Sequence, residues 1–278
     1  MTRILIIGGV TAGMRAAIQA RRSNPRAEIV VLERGPHIAG ACVAPYNIDD
    51  PGTTIFDLVN IEPDQARHDW GIDVRTHCEA LALDTREKRV RFRDLRTSQE
   101  GTLSYDTLIL ATGAAPSNRF QEAEGSPAVF VLGNLSDTDR IKQYLAGATP
   151  RTAVVAGSSY IGIEMAESLT RRGLEVTLVE QGERILPGWH PEIARLVRET
   201  LERNGVRVVA APAVALRAGP GESGVQVGSY GRIRTVDMAL VATGVSPNVK
   251  LTAAAGIVLG RTGAIAVGPR MQTRAPDV

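Results

Sequence analysis

Unbroken apolar runs alternate along this chain with stretches of helical composition, the pattern of parallel strands buried on both faces and joined by helices. Arg3-Ile4-Leu5-Ile6-Ile7-Gly8 is the first run. From Gly13 to Ser23 alanines and long side chains dominate, which predicts a helix that Asn24-Pro25 stops. A second run, Ile29 to Leu32, ends on Glu33 and completes a βαβ opening.

A loop around Cys42 and a helix near Thr54 to Trp70 come next. Strands over Asp73 to Leu83 and Arg89 to Asp94 read as an antiparallel meander, and a strand from Tyr105 to Leu110 leads into Ala111-Thr112-Gly113. After Pro150 the opening layout returns: a strand over Ala153 to Ala156, a glycine turn, a helix from Ile161 to Arg172, and a strand from Glu175 to Val179 ending on Glu180. A helix from Pro191 to Asn204 and strands at Val206 to Val209 and Met238 to Thr243 extend this second unit.

The repetition implies an α/β fold with two Rossmann-like dinucleotide-binding domains and an antiparallel meander. The expected division is 1–113 for the first domain and 114–245 for the second, with 246–278 returning to a first domain that stays incomplete.

Composition narrows the class further. A chain of 278 residues has room for two domains, and 44% hydrophobic with 22% charged residues excludes a disordered chain. Thirty-two basic and thirty acidic residues leave a net charge of +2, and the arginines are spread evenly, so neither nucleic acid nor a membrane surface is an expected partner. The 29 arginines against three lysines carry no functional reading.

Cys42 and Cys78 form neither a C-x-x-C pair nor a disulfide framework, which favours a reducing compartment. The first apolar run comes too early for a signal peptide, and none approaches the length of about 20 residues that spans a bilayer. The expected location is the cytoplasm. Four scattered histidines lack metal-ligand spacing, so no metal site is expected.

In the fingerprint G-x-G-x-x-G, the glycines make the tight turn, admit a pyrophosphate and let helix and strand pack closely. The first turn reads Gly8-Gly9-Val10-Thr11-Ala12-Gly13, with Val10 in the middle place and Glu33 twenty residues beyond Gly13. A carboxylate there can accept both ribose hydroxyls of an adenosine. The second reads Gly157-Ser158-Ser159-Tyr160-Ile161-Gly162, with Glu180 eighteen residues on. Ser159 is small enough to keep the backbone near phosphate. Glu180 repels a 2′-phosphate, favouring NADH over NADPH, with Arg184 the residue that could reverse this preference. A single imperfect turn serves helix packing as readily as ligand binding; two with matched acids point to dinucleotide sites.

Cys42, in Gly40-Ala41-Cys42-Val43-Ala44-Pro45-Tyr46, is either a thiolate nucleophile or a small buried hydrophobe. Cys78 reads as a packing residue.

Together the two turns, Cys42-Val43-Ala44-Pro45-Tyr46, Ala111-Thr112-Gly113, Tyr160-Ile161-Gly162-Ile163-Glu164 and Ala242-Thr243-Gly244-Val245-Ser246-Pro247-Asn248 resemble the FAD-dependent pyridine nucleotide-disulfide oxidoreductases. The resemblance is to the single-cysteine branch and covers essentially the whole chain. It implies FAD on Gly8, Gly9, Gly13, Glu33 and Arg34, with Ala80 toward the adenine and Ala111, Thr112 and Gly113 nearby. It implies NADH, or NADPH, on Gly157, Ile161, Gly162, Glu180 and Gly244, with Glu164 beside the nicotinamide and flavin. Cys42 is then the catalytic residue that receives electrons as a mixed disulfide or sulfenic acid.

Gln19 and Arg22 match the residues that coenzyme A-disulfide reductases set against coenzyme A; the alternative is a solvated helix face. The branch usually reads Ser-Phe-x-Asn-Cys-Gly where this chain has Ile38, Ala39, Ala41 and Val43 at the Ser, Phe, Asn and Gly positions. The resemblance also implies a C-terminal truncation that removes a dimerisation domain, and a homodimer for the full-length protein. The expected reaction is reduction of a small disulfide, coenzyme A disulfide or a persulfide among them. An NADH oxidase or peroxidase using a Cys42 sulfenic acid, and an inactive nucleotide-binding fragment, are the alternatives.

Overall fold

Strands β1 (Arg3–Ile7) and β2 (Glu28–Leu32) run parallel with Leu5 opposite Val30, and helix α1 (Thr11–Ser23) connects them. In this computed structural model every residue is described except 39–43, 60, 118, 119, 121, 122, 124, 212, 213, 220–223, 230 and 231. Elements are numbered along the chain. The chain divides into two compact units, Met1–Gly40 with Val59–Ala115 and Ser246–Val278, and Ala41–Leu58 with Pro116–Val245.

The first unit holds a four-stranded parallel sheet in the order β3-β2-β1-β7, with β3 at Ile72–Arg75 and β7 at Thr107–Leu110. Its central strands are apolar because both faces are covered, one by α1 and a later helix and the other by an antiparallel meander, and Leu5, Ile6, Val30, Val31 and Leu32 are fully buried. A meander of β4 (Cys78–Asp84), β5 (Arg89–Asp94) and β6 (Glu100–Ser104) accompanies it, with a bulge between Ala80 and Ala82.

Two expected elements are divided, the second of them across the two units. The strand read over Asp73 to Leu83 breaks into β3 and β4, with His77 at a left-handed φ of 54° redirecting the chain. The helix read over Thr54 to Trp70 becomes a 3-10 turn, Ile55–Leu58, and a separate helix α3, Pro63–Trp70. Proline cannot continue a helix from before it but favours the first turn, so α3 begins there.

The second unit repeats the plan. Its parallel sheet runs β12-β11-β10-β16-β9, with β9 at Val129–Val131, β10 at Thr152–Ala156, β11 at Glu175–Glu180, β12 at Arg207–Ala210 and β16 at Met238–Val241. Helix α5 (Tyr160–Arg171) follows β10, as α1 follows β1. Sequence pattern missed helix α4 (Leu135–Ala148), whose N-cap Asn134 accepts the Asp137 N–H at 3.0 Å, and the three-stranded sheet over residues 214–236.

The stretch after Cys42 is the main difference in organisation. The expected division gave it to the first domain, whereas helix α2 (Ala44–Ile48) packs in the second unit. Ala44 and Ile48 are fully buried there in one cluster with Ile141, Met165 and Leu178. Burial of these apolar groups outweighs sequence proximity.

Candidate functional site

Each unit builds the same device at the carboxyl end of its first strand. In the first, the Gly8 N–H donates to the Leu32 carbonyl at 2.8 Å, closing the turn between β1 and α1. Gly8 has φ +100°, and a Cβ there would stand 2.1 Å from the Ala111 carbonyl oxygen, so the position demands glycine. Glu33 turns back on this loop and accepts the Gly9 N–H at 2.6 Å and the Gly35 N–H at 2.6 Å.

Helix α1 has no side-chain cap at its N-terminus, so its first-turn amides are available to a phosphate. Beside them Ala111, Thr112 and Gly113 follow β7. Thr112 Oγ1 donates to the Asn248 carbonyl at 2.8 Å, and Asn248 Nδ2 donates to the Thr112 carbonyl at 2.8 Å, which pins that segment. Gly8, Gly9, Gly13, Glu33 and Ala111 are thus brought together around one turn. Arg34 lies further out, 3.8 Å from Glu79, with Ala80 next along β4.

In the second unit Gly157 has φ +106°, and its N–H donates to the Val179 carbonyl at 2.8 Å. Glu180 accepts the N–H of Ser158 at 2.9 Å, the Ser158 hydroxyl, and the Gly182 N–H at 2.9 Å. Burial opposes the charge of Glu180, but these hydrogen bonds and that of the Gln181 N–H outweigh it and hold the carboxyl below the usual glutamate range. Glu180 is therefore an anion at neutral pH, suited to accept ribose hydroxyls and to repel a 2′-phosphate. The Ser159 hydroxyl caps α5 by accepting the Gly162 N–H at 3.3 Å.

A cleft of about 740 Å³ opens over this turn, lined by Gly157, Tyr160, Glu180, Trp189 and Gly244 among others. At its wall the Trp189 indole N–H donates to the Tyr160 hydroxyl at 2.9 Å. Ile161 packs against the core behind the turn. The volume and the anionic strand end fit the adenosine half of a dinucleotide.

Glu164 lies four residues into α5, where the Tyr46 phenol favours its ionised form. Burial first, and then Glu167, push its carboxyl above the usual glutamate range. Tyr46 and Ser158 are residues that sequence reasoning did not single out; the motif around Cys42 contained the first and the second glycine turn the second. Cys42 itself lies outside the described residues. Gln19 and Arg22 are exposed on α1, where Gln19 Nε2 donates to Ser23 Oγ at 3.4 Å and the Arg22 guanidinium lies 5.3 Å from the Trp70 ring centroid. Among the described residues no group of His, Cys, Asp or Glu could hold a metal. No helix there is long and apolar enough to cross a membrane.

Residues 2–278 match the family model described as pyridine nucleotide-disulphide oxidoreductase. The chain belongs to this family. It is 32% identical over 278 residues to an NADH oxidase of Methanocaldococcus jannaschii, covering 99% of this chain and 61% of that protein. It is 26% identical over 285 residues to a coenzyme A disulfide reductase of Staphylococcus haemolyticus, covering 100% of this chain and 62% of the relative. The solved NAD-dependent persulfide reductase from A. fulgidus superposes with a TM-score of 0.91 at 31% identity, over 98% of this chain and 51% of that one. The chain therefore spans about three fifths of the length of the curated relatives it matches.

Proposed function

We propose that the chain carries both dinucleotide sites of an FAD-dependent enzyme that takes electrons from NADH and reduces a small disulfide through Cys42. The observation that carries this reading is the matched pair of turns, each with a positive-φ glycine against a neighbouring carbonyl and an acid folded back on it. FAD is assigned to Gly8, Gly9, Gly13, Glu33 and Arg34, with Ala80 and Ala111 to Gly113. NADH is assigned to Gly157, Ile161, Gly162, Glu180 and Gly244.

Bound FAD supplies the exchange between a hydride donor and a two-electron thiol couple. The protein's own part is to bind and orient. The bare first-turn amides of α1 meet the pyrophosphate, and the Glu33 carboxylate meets the adenosine ribose. Glu180 does the same in the second unit, its charge excluding a 2′-phosphate. Cys42 breaks the substrate disulfide, and with no second cysteine nearby in sequence the resolving thiol comes from the substrate.

The exposed Gln19 and Arg22 support a coenzyme A disulfide or persulfide as that substrate, in agreement with the reductases among the relatives. The M. jannaschii relative favours one second reading, an NADH oxidase or peroxidase in which Cys42 cycles through a sulfenic acid. The full-length protein is expected to be a homodimer in the reducing cytoplasm.

The deciding experiment is the visible spectrum of the purified chain before and after anaerobic NADH. A yellow protein that bleaches is the expected result; a colourless one that takes up no added FAD sinks the reading in favour of an inactive nucleotide-binding fragment. Disulfide-dependent reoxidation without oxygen separates the reductase from the oxidase, and Cys42→Ser should abolish that reoxidation while preserving bleaching.

A further inference from the structure

We propose that Trp189 is a positioning residue of the second dinucleotide site: its indole N–H holds the Tyr160 hydroxyl so that the phenolic proton is offered to the pyrophosphate of the bound nucleotide. The assignment rests on the reading of the Gly157 turn as that site. Tyr160 and Trp189 both line the cleft, and both keep much of their surface in water, Tyr160 at 62% exposure and Trp189 at 45%. Rings so exposed contribute little to the core. They meet each other instead, edge to face, with centroids 6.2 Å apart at 83° and the indole N–H on the phenol oxygen at 2.9 Å.

The chain on either side of Trp189 fixes the indole. In the loop after β11, Ile185 and Leu186 are buried while Trp189 stays at the cleft wall. Leu186 adopts a left-handed φ of 49°, which is strained for a leucine and persists only where its surroundings hold it. Its N–H donates to Ser158 Oγ at 3.1 Å, and its carbonyl accepts the Trp189 N–H at 2.9 Å, closing a turn over Pro187-Gly188. Arg184 Nη2 donates to the Pro187 carbonyl at 3.1 Å. Just beyond Trp189, His190 caps helix α6 (Pro191–Arg203), its Nδ1 accepting the Glu192 N–H at 3.4 Å. The strained residue thus stands at the base of the turn that presents the indole.

The direction of the hydrogen bond determines what the phenol can do. An indole N–H only donates, so the Tyr160 oxygen is the acceptor and its own proton is left for a second partner. Tyr160 is the first residue of α5 and belongs to the glycine turn Gly157-Ser158-Ser159-Tyr160-Ile161-Gly162, the part of the site that faces a pyrophosphate. A phenol that donates to a phosphate oxygen makes a charge-assisted bond. Without the indole the hydroxyl is free to rotate in water, and that orientation has to be recovered on binding. Trp189 therefore acts on the nucleotide through Tyr160.

The test is a double-mutant cycle read by calorimetric titration of the full chain with adenosine diphosphate ribose, which carries the pyrophosphate without the nicotinamide. Tyr160→Phe should weaken binding about tenfold, as for one hydrogen bond to a charged group. Trp189→Phe keeps a ring and removes the N–H; it should weaken binding about threefold alone and not at all when added to Tyr160→Phe. The chain has two tryptophans, so 15N-indole labelling gives two resonances, with that of Trp189 identified by its loss in Trp189→Phe. It should move in the free chain on Tyr160→Phe, and in wild type on adding adenosine diphosphate ribose, while the Trp70 resonance stays in place. Additive losses in the double variant, full affinity in Trp189→Phe, or a Trp189 resonance unmoved by saturating ligand each overturn the proposal and leave the nucleotide site standing. A wild-type chain that binds no adenosine diphosphate ribose defeats the reading of the site itself, and the proposal with it.

Discussion

Ser158 donates twice to one oxygen of Glu180, through its backbone N–H at 2.9 Å and through its hydroxyl, and that hydroxyl also accepts the Leu186 N–H at 3.1 Å. One small side chain therefore joins the glycine turn, the acid that closes the site and the loop along the cleft. The carboxyl is held below its ordinary value, so its contribution to stability is complete above the unfolded glutamate pKa and is lost as pH falls through the depressed folded value. Ser158→Ala removes hydrogen bonds to a charged group, and the expected cost is about 1.5–3 kcal/mol at neutral pH. Urea unfolding measures that cost. The acid-unfolding midpoint should also rise; a midpoint identical to wild type contradicts the role given to the serine.

Gly157→Ala should be more damaging than its size suggests. The residue sits at φ +106°, and a Cβ would stand 2.5 Å from the Ala242 carbonyl oxygen. Backbone strain of that kind costs about 1–3 kcal/mol before the clash is counted. Chemical denaturation should register at least that loss, and affinity for adenosine diphosphate ribose should fall with it. Unchanged affinity would falsify the assignment of this turn to the pyrophosphate.

The two thiols should behave differently toward an alkylating reagent. Burial first, and then the Asp94 carboxylate, push the Cys78 thiol above its usual range, so little thiolate forms there at neutral pH. Native alkylation followed by mass spectrometry should find Cys42 modified long before Cys78, and Cys42→Ser should remove the fast phase. Rapid modification of Cys78 in the folded chain is the contrary result.

Lys142 is expected to be irreplaceable by arginine. Its ammonium reaches three backbone carbonyls and Thr53 Oγ1, a compact arrangement suited to a point charge and not to a planar guanidinium fork. Lys142→Met and Lys142→Arg should each cost about 2 kcal/mol. Amide exchange over residues 44–58 should accelerate more than exchange in the parallel sheet, and equal acceleration everywhere would argue against a local role.

The doubled strand-turn-helix was legible because it depends on local signals. Apolar runs at Leu5 and Val155, glycines at 8 and 157, and acids at 33 and 180 are each readable within a window of about 30 residues. The destination of α2 was not legible. Whether Ala44 and Ile48 bury against one unit or the other is a tertiary choice, decided by Met165 and Ile141 far along the chain. The break at His77 was hidden too, since a left-handed histidine between two strand-forming runs leaves no compositional mark. Lys142 offered a signal that composition alone could not interpret. In a chain with 29 arginines, one of only three lysines caps a helix end where an ammonium fits.

The three-piece construction of the first unit also dictates an order of events during synthesis. Its parallel sheet is complete once residue 110 has emerged, yet Ile257 belongs to its core, with Leu251 and Ile265 packed against that cluster. All of these follow the whole of 116–245. At about 5–20 residues per second the ribosome needs roughly 10 s to make that insertion. Throughout that interval the second unit can close its own sheet, since β16 ends at Val241, while the first waits without the apolar cover that Leu251, Ile257 and Ile265 add. Mutations that slow the second unit should therefore surface as aggregation of the nascent first unit, a phenotype displaced from the site of the change.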